Sequence, residues 1–151
     1  MSLSARQFFS EGEREDILLA IKNAELDTSG EIRVHVEDTC KGDVKDRAAF
    51  LFKKLGMHNT DARNGVLFYL AVKNRRFAIL GDEGINKEVP SNFWDEICDR
   101  MVARFRNDEF ADGLAEAISK AGQQLKKHFP YQTDDVNELP DDISFGKKED
   151  E

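Results

Sequence analysis

Apolar residues run almost unbroken from Val66 to Val72, and this stretch sets the expectations for the rest of the chain. A continuous run of that length, rich in β-branched and aromatic residues, reads as a strand buried on both faces. Lys73-Asn74-Arg75 is polar, and Asn tolerates turn geometry, so the chain is expected to fold back there. Arg76 to Gly81 then forms a second strand, antiparallel to the first. A hairpin covered on both sides needs helices on both sides.

The flanking pattern supplies them. Ser10-Glu11-Gly12-Glu13 matches a capping box, and Ile17, Ala20, Ile21 and Ala24 follow at helical spacing. Glu31 to Glu37 alternates strictly, predicting a strand with one buried and one polar face, nearer the sheet edge than the hairpin strands. Asp43 is placed to cap a helix carrying Val44, Ala48, Leu51 and Leu55, with Gly56 as its terminator. That strand–helix–strand unit predicts a right-handed crossover and a parallel pair. Beyond the hairpin, Gly81-Asp82-Glu83-Gly84 reads as a flexible acidic turn. Asn92 then caps a helix whose buried side is Trp94, Ile97, Cys98, Met101 and Phe105. A last helix runs from about Phe110 to Lys127, burying Phe110, Leu114, Ala117, Ile118, Ala121 and Leu125. The order α-β-α-β-β-α-α predicts an α/β domain with a small mixed sheet between helix layers. It spans residues 1–130, followed by an acidic tail over 131–151 that is either disordered or extended along the surface with its apolar residues docked.

Composition narrows the function classes. The 151 residues are 40% hydrophobic and 34% charged, and no run approaches the roughly 20 apolar residues of a membrane helix. Direct membrane insertion is therefore not expected. The start, MSLSARQFFSEGERED, has no apolar core of a secretory signal, so an intact cytoplasmic protein is expected. Cys40 and Cys98 are the only cysteines, which fits a reducing compartment with Cys98 as a small core residue. The net charge is −8, but the tail holds eight acids against Lys147 and Lys148, leaving −2 for residues 1–132. A nearly neutral body without a basic stripe argues against nucleic acid as a partner.

Most active-site signatures are missing. There is no GxxxxGK[ST], HExxH, GxSxG or EF-hand loop, and Gly81-Asp82-Glu83-Gly84 lacks the third glycine of a dinucleotide fingerprint. His35, His58 and His128 share no helix-facing spacing and read as exposed or satisfied side chains. One constellation remains. Reversal at Asn74 brings Asp61, Arg63 and Asn64 close to Asp82 and Glu83. Oxygen ligands from Asp61, Asn64, Asp82 and Glu83 in a loop-lined corner suit weak binding of Ca²⁺ or Mg²⁺. The same carboxylates could position water for hydrolysis. The competing reading is that exposed turns simply contain acids and amides.

The residues also resemble a known family. Asn64-Gly65-Val66-Leu67, then Arg76-Phe77-Ala78-Ile79-Leu80-Gly81, then Gly84-Ile85, is similar to the core of the TPM domain. Phe105-Arg106-Asn107-Asp108-Glu109-Phe110-Ala111-Asp112-Gly113-Leu114 resembles that family's helix junction, and the similarity covers roughly residues 8–127. The resemblance implies a central sheet flanked by helices and an acidic cation-binding pocket, to which Asp82 and Glu83 would belong. It also implies either acid phosphatase activity on phosphomonoesters or a role as an accessory protein beside a membrane. The family's signal peptide and membrane anchor are not found in this sequence. Its glycine pair is spread to Gly81 and Gly84, and Val102-Ala103-Arg104 replaces the usual proline before the Phe-Arg pair. With the acidic, apolar-spaced tail resembling a docking segment, the leading expectation is a non-enzymatic domain with a protein partner.

Overall fold

The computed structural model describes residues 3–131 and 143–146. A short helix α1 (Ala5–Phe8) leads into α2 (Glu11–Glu25), and strand β1 (Glu31–Glu37) follows. Helix α3 (Val44–Lys54) connects β1 to the hairpin β2 (Gly65–Ala71) and β3 (Arg76–Gly81). Then come α4 (Glu83–Asn86), α5 (Phe93–Arg106), α6 (Phe110–His128) and a final strand β4 (Ile143–Phe145). The sheet order is β3-β2-β1-β4, with β1 parallel to both its neighbours and β3 antiparallel to β2.

The expected mixed sheet between helix layers is present. All seven residues of β2 are buried, and alternation divides them between two cores. Val66, Phe68 and Leu70 face α2, α5 and α6, together with Ile32, Val34 and Val36 of β1. Leu67, Tyr69 and Ala71 face α3, where Ala48, Leu51 and Phe52 cover them. Burying one such aromatic or aliphatic side chain contributes about 1.5–3 kcal/mol, so the central strand carries much of the stability. The helix signals also act as expected. The Ser10 hydroxyl accepts from Glu13 N–H while the Glu13 carboxylate accepts from Ser10 N–H, and Asp43 accepts from the N–H groups of Lys45 and Asp46.

Several expectations need correction. β1 is interior rather than near an edge, because β4 pairs along its free side; β3 and β4 are the two edges, and β3 is only partly buried. The turn at Gly81–Gly84 is instead the start of α4, which Asp82 caps by accepting from Glu83 N–H and whose Ile85 is fully buried. Asn92 occupies a cap position without capping through its side chain, which donates to Glu96 instead. Cys98 is only partly buried. The acids of the tail and its Val136 and Leu139 lie outside the described residues, whereas Ile143 and Phe145 sit in β4.

Candidate functional site

At the open end of the hairpin the loop before β2 and the exit of β3 meet around an arginine. Gly81 pairs with Val66, and Asp82 N–H donates to Gly65 O at 2.9 Å, so the two loops share one end of the sheet. Arg63 forks onto Asp82, Nε to Oδ2 at 2.8 Å and Nη2 to Oδ1 at 3.0 Å, and reaches Glu83 at 3.5 Å. Both Asp82 oxygens are thereby engaged. Asn64 is buried and donates to Ser29 Oγ, while its Oδ1 has no hydrogen-bond partner. Asp61 is exposed on the preceding turn. Among the described residues no three His, Cys, Asp or Glu side chains are grouped to hold a metal. A divalent cation therefore fits this corner only if Arg63 swings away, since the guanidinium supplies the positive charge that the carboxylates need.

A second and larger site lies at the other end of the parallel strands. The polar face of β1, expected to meet solvent, is buried: His35 is 4% exposed and Glu37 8%. It forms the floor of a cleft of about 810 Å³. Arg47, Leu51 and Lys54 of α3 form one wall, Ser144 to Gly146 the other, and the loop from Asp38 to Asp43 closes the end. The chain leaves β1 for β2 on one side while β4 pairs on the other. This is a crevice outside the carboxyl end of a strand where connections diverge, the usual ligand position in open α/β sheets.

At its centre sits Glu37. Arg47 donates Nε to Oε1 at 2.9 Å and Nη2 to Oε2 at 2.5 Å, and the Tyr69 hydroxyl donates to Oε1 at 2.6 Å. His35 Nε2 stands 3.6 Å from Oε2, an ion-pair distance rather than a hydrogen bond. Its Nδ1 lies 2.7 Å from Ser144 Oγ. Burial pushes the Glu37 pKa upward, but the contacts with Arg47, His35 and Tyr69 outweigh it and hold the carboxyl well below the usual range. Burial, then the Glu37 acceptor, push the Tyr69 phenol above its ordinary value. The floor is thus a fixed anion–guanidinium pair, and its rim mixes exposed Lys41, Asp43, Asp46 and Lys54. Beside it Phe50 is 55% exposed, with Arg47 and Lys54 over its ring at 5.2 and 5.9 Å.

Sequence reasoning passed over this cleft. The available signals were an ionisable pair at Glu37 and His35 on one strand face, a tyrosine inside an otherwise apolar β2, and an arginine on the first turns of α3.

Fold and cleft together define a small α/β domain with a polar-floored crevice at the switch point of its sheet. Residues 4–124 match the TPM domain family, and the chain belongs to it. It is also similar to the BA42 protein of the psychrophilic bacterium Bizionia argentinensis, with 46% identity, a TM-score of 0.85, and 93% of this chain and 97% of that one covered. The N-terminal domain of a P. gingivalis protein shares the fold at 22% identity and a TM-score of 0.70, with 83% of each chain covered. The N-terminal domain of cg2496 from Corynebacterium glutamicum does so at 15% identity and a TM-score of 0.62, over 78% of this chain and 74% of that one. No curated protein matches the chain. No helix among the described residues is long and apolar enough to cross a membrane.

Proposed function

We propose that this chain is a non-catalytic accessory domain that binds a protein partner at the cleft beside β1 and α3. The state of Glu37 carries this reading. A carboxylate held as an anion by a forked guanidinium and a phenol is a poor proton shuttle, because general acid–base work needs a pKa near the operating pH. The same fixed charges suit recognition. Phe50, exposed between Arg47 and Lys54, has the aromatic and arginine character of an interface anchor. The family resemblance adds a partner attached to a membrane, and the two free cysteines, Cys40 and Cys98, fit the reducing environment of the cytoplasm. Ca²⁺ or Mg²⁺ is a weak secondary ligand at Asp82 and Glu83, in competition with Arg63.

The test pairs a binding and a catalytic readout. Crosslinked complexes recovered from native extract should lose a specific partner when Phe50→Ser or Lys54→Glu is introduced, with the circular dichroism unchanged. Metal-supplemented protein should hydrolyse p-nitrophenyl phosphate no faster than an Asp82→Ala control. Turnover well above that control, lost together with Asp82, would replace this reading with a metal-assisted phosphatase.

A further inference from the structure

Strand β4 is read by β1 in unusual detail for three residues. Ile143, Ser144 and Phe145 lie in parallel register with Val34, His35 and Val36, and Gly146 N–H donates to Val36 O at 2.9 Å. Ile143 is buried in the core beneath the sheet, and Phe145 packs at its margin under the Arg6 guanidinium, 5.0 Å from the ring centroid. Ser144 points to the opposite face, where its Oγ lies 2.7 Å from His35 Nδ1 and accepts from Arg33 Nε at 3.3 Å. A Cβ at Gly146 would stand 2.6 Å from Glu37 Cγ and 2.9 Å from Oε2, so a side chain there collides with the anchored carboxylate. Four consecutive positions are thus selected: an aliphatic, a small hydroxyl, an aromatic and a glycine.

This strand lies outside the residues that match the family, and without it β1 would present an open edge. An unpaired edge is a template for adding an extended segment, with main-chain bonds giving affinity and alternate side-chain pockets giving specificity. Between Tyr131 and Ile143 the chain carries five acids and no Lys or Arg. Because β4 belongs to the same chain, it occupies the edge at a finite effective concentration, which a partner segment at sufficient concentration can overcome.

We propose that the β1 edge is a strand-acceptor site for an extended segment of another protein bearing the pattern aliphatic–Ser/Thr–Phe–Gly, and that Ile143–Gly146 is its tethered, exchangeable occupant. Exchange at this edge does not require a ligand in the cleft, and its readout is independent of Phe50. The experiment titrates a fluorescent peptide with the sequence of residues 141–148 into the full-length chain. The wild-type chain, whose own strand competes, should bind weakly. Full-length Phe145→Ala should bind at least about tenfold more tightly, because weakening the tethered occupant raises the fraction of open sites. A peptide carrying Gly146→Val should lose at least about tenfold of that affinity. Full-length Ser144→Ala serves in the same role if Phe145→Ala does not fold. In wild type the amide resonances of Val34 and Val36 should move on peptide addition. Equal affinity of wild type and both variants overturns the proposal, as does absence of binding to all three. A chain that dimerises by exchanging its own β4 while ignoring the peptide also overturns it.

Discussion

The Tyr69 hydroxyl on β2 donates to Glu37 on neighbouring β1 at 2.6 Å, joining the two central strands through a buried polar contact on the face that α3 covers. Tyr69 is fully buried, so its one polar atom has to be satisfied inside the protein. Tyr69→Phe keeps the ring packing and removes only this donor. The expected cost is about 1.5–3 kcal/mol, the range for a hydrogen bond to a charged group. Urea denaturation measures it, and in a double-mutant cycle with Glu37→Gln the two losses should be less than additive.

The same pair gives stability a defined pH dependence. Glu37 has its folded pKa depressed, so its contribution is present in full above the unfolded value of about 4.3 and is lost as pH falls below it. Tyr69 has its folded pKa raised, so its contribution is present below about pH 10 and is lost as pH rises past the unfolded value. The stability gap between wild type and Glu37→Gln should therefore begin to narrow as pH falls below about 5 and go on narrowing below about pH 3, because the folded carboxyl titrates well below the unfolded one. Tyr69→Phe should in turn flatten the alkaline limb. Denaturation midpoints across the two ranges check both signs.

Helices α2 and α6 meet through two small residues. A Cβ at Gly122 would lie 2.5 Å from Ala24 Cβ and 2.8 Å from its Cα. Neither neighbour is the end of a flexible side chain, so Gly122→Ala has to push the helices apart. The expected loss is about 1–3 kcal/mol, as for other overpacked cores, although alanine favours the helix by about 1 kcal/mol over glycine. Thermal unfolding of this variant, with the exposed Gly12→Ala as the helix-propensity control, separates the two effects.

These elements also mark where sequence reading works. The β2 run, the capping box at Ser10 and the Asp43 cap are local, so composition and spacing were enough to predict them. β1 has a polar face that looks solvent-facing in isolation. Its burial depends on α3 and on β4, which comes more than a hundred residues later. Only the pairing partner makes Ile143–Phe145 a strand. At the Asp82 corner, folding back at Asn74 was enough to place the loop before β2 beside the exit of β3, but the contacts that form there join Arg63 to Asp82 and Glu83, while Asn64 bonds to Ser29 and Asp61 stays exposed. What spacing did not reveal was that Arg63, at positive φ, turns its side chain onto Asp82.

That arginine decides how the corner responds to calcium. Its fork takes both Asp82 oxygens, and Glu83 stands 3.5 Å from the same guanidinium. A cation arriving there has to replace an internal positive charge, so its binding free energy is reduced by whatever the fork contributes. Removing the fork with Arg63→Ala leaves Asp82 and Glu83 without a cation. Repulsion between the carboxylates then favours an external one. A flexible site of this charge should bind Ca²⁺ with a dissociation constant of about 10⁻⁴ M or weaker. Calcium at about 10 mM would then raise the melting temperature of Arg63→Ala by several degrees through mass action. Wild type should shift by much less, and Asp82→Asn placed on the Arg63→Ala background should cancel the gain. That second variant also serves as the control for diffuse binding to the eight acids of residues 133–151, which all three chains share. An equal calcium shift in wild type and Arg63→Ala would show that the guanidinium does not block the site, and no shift in either would make the corner an arginine-locked turn.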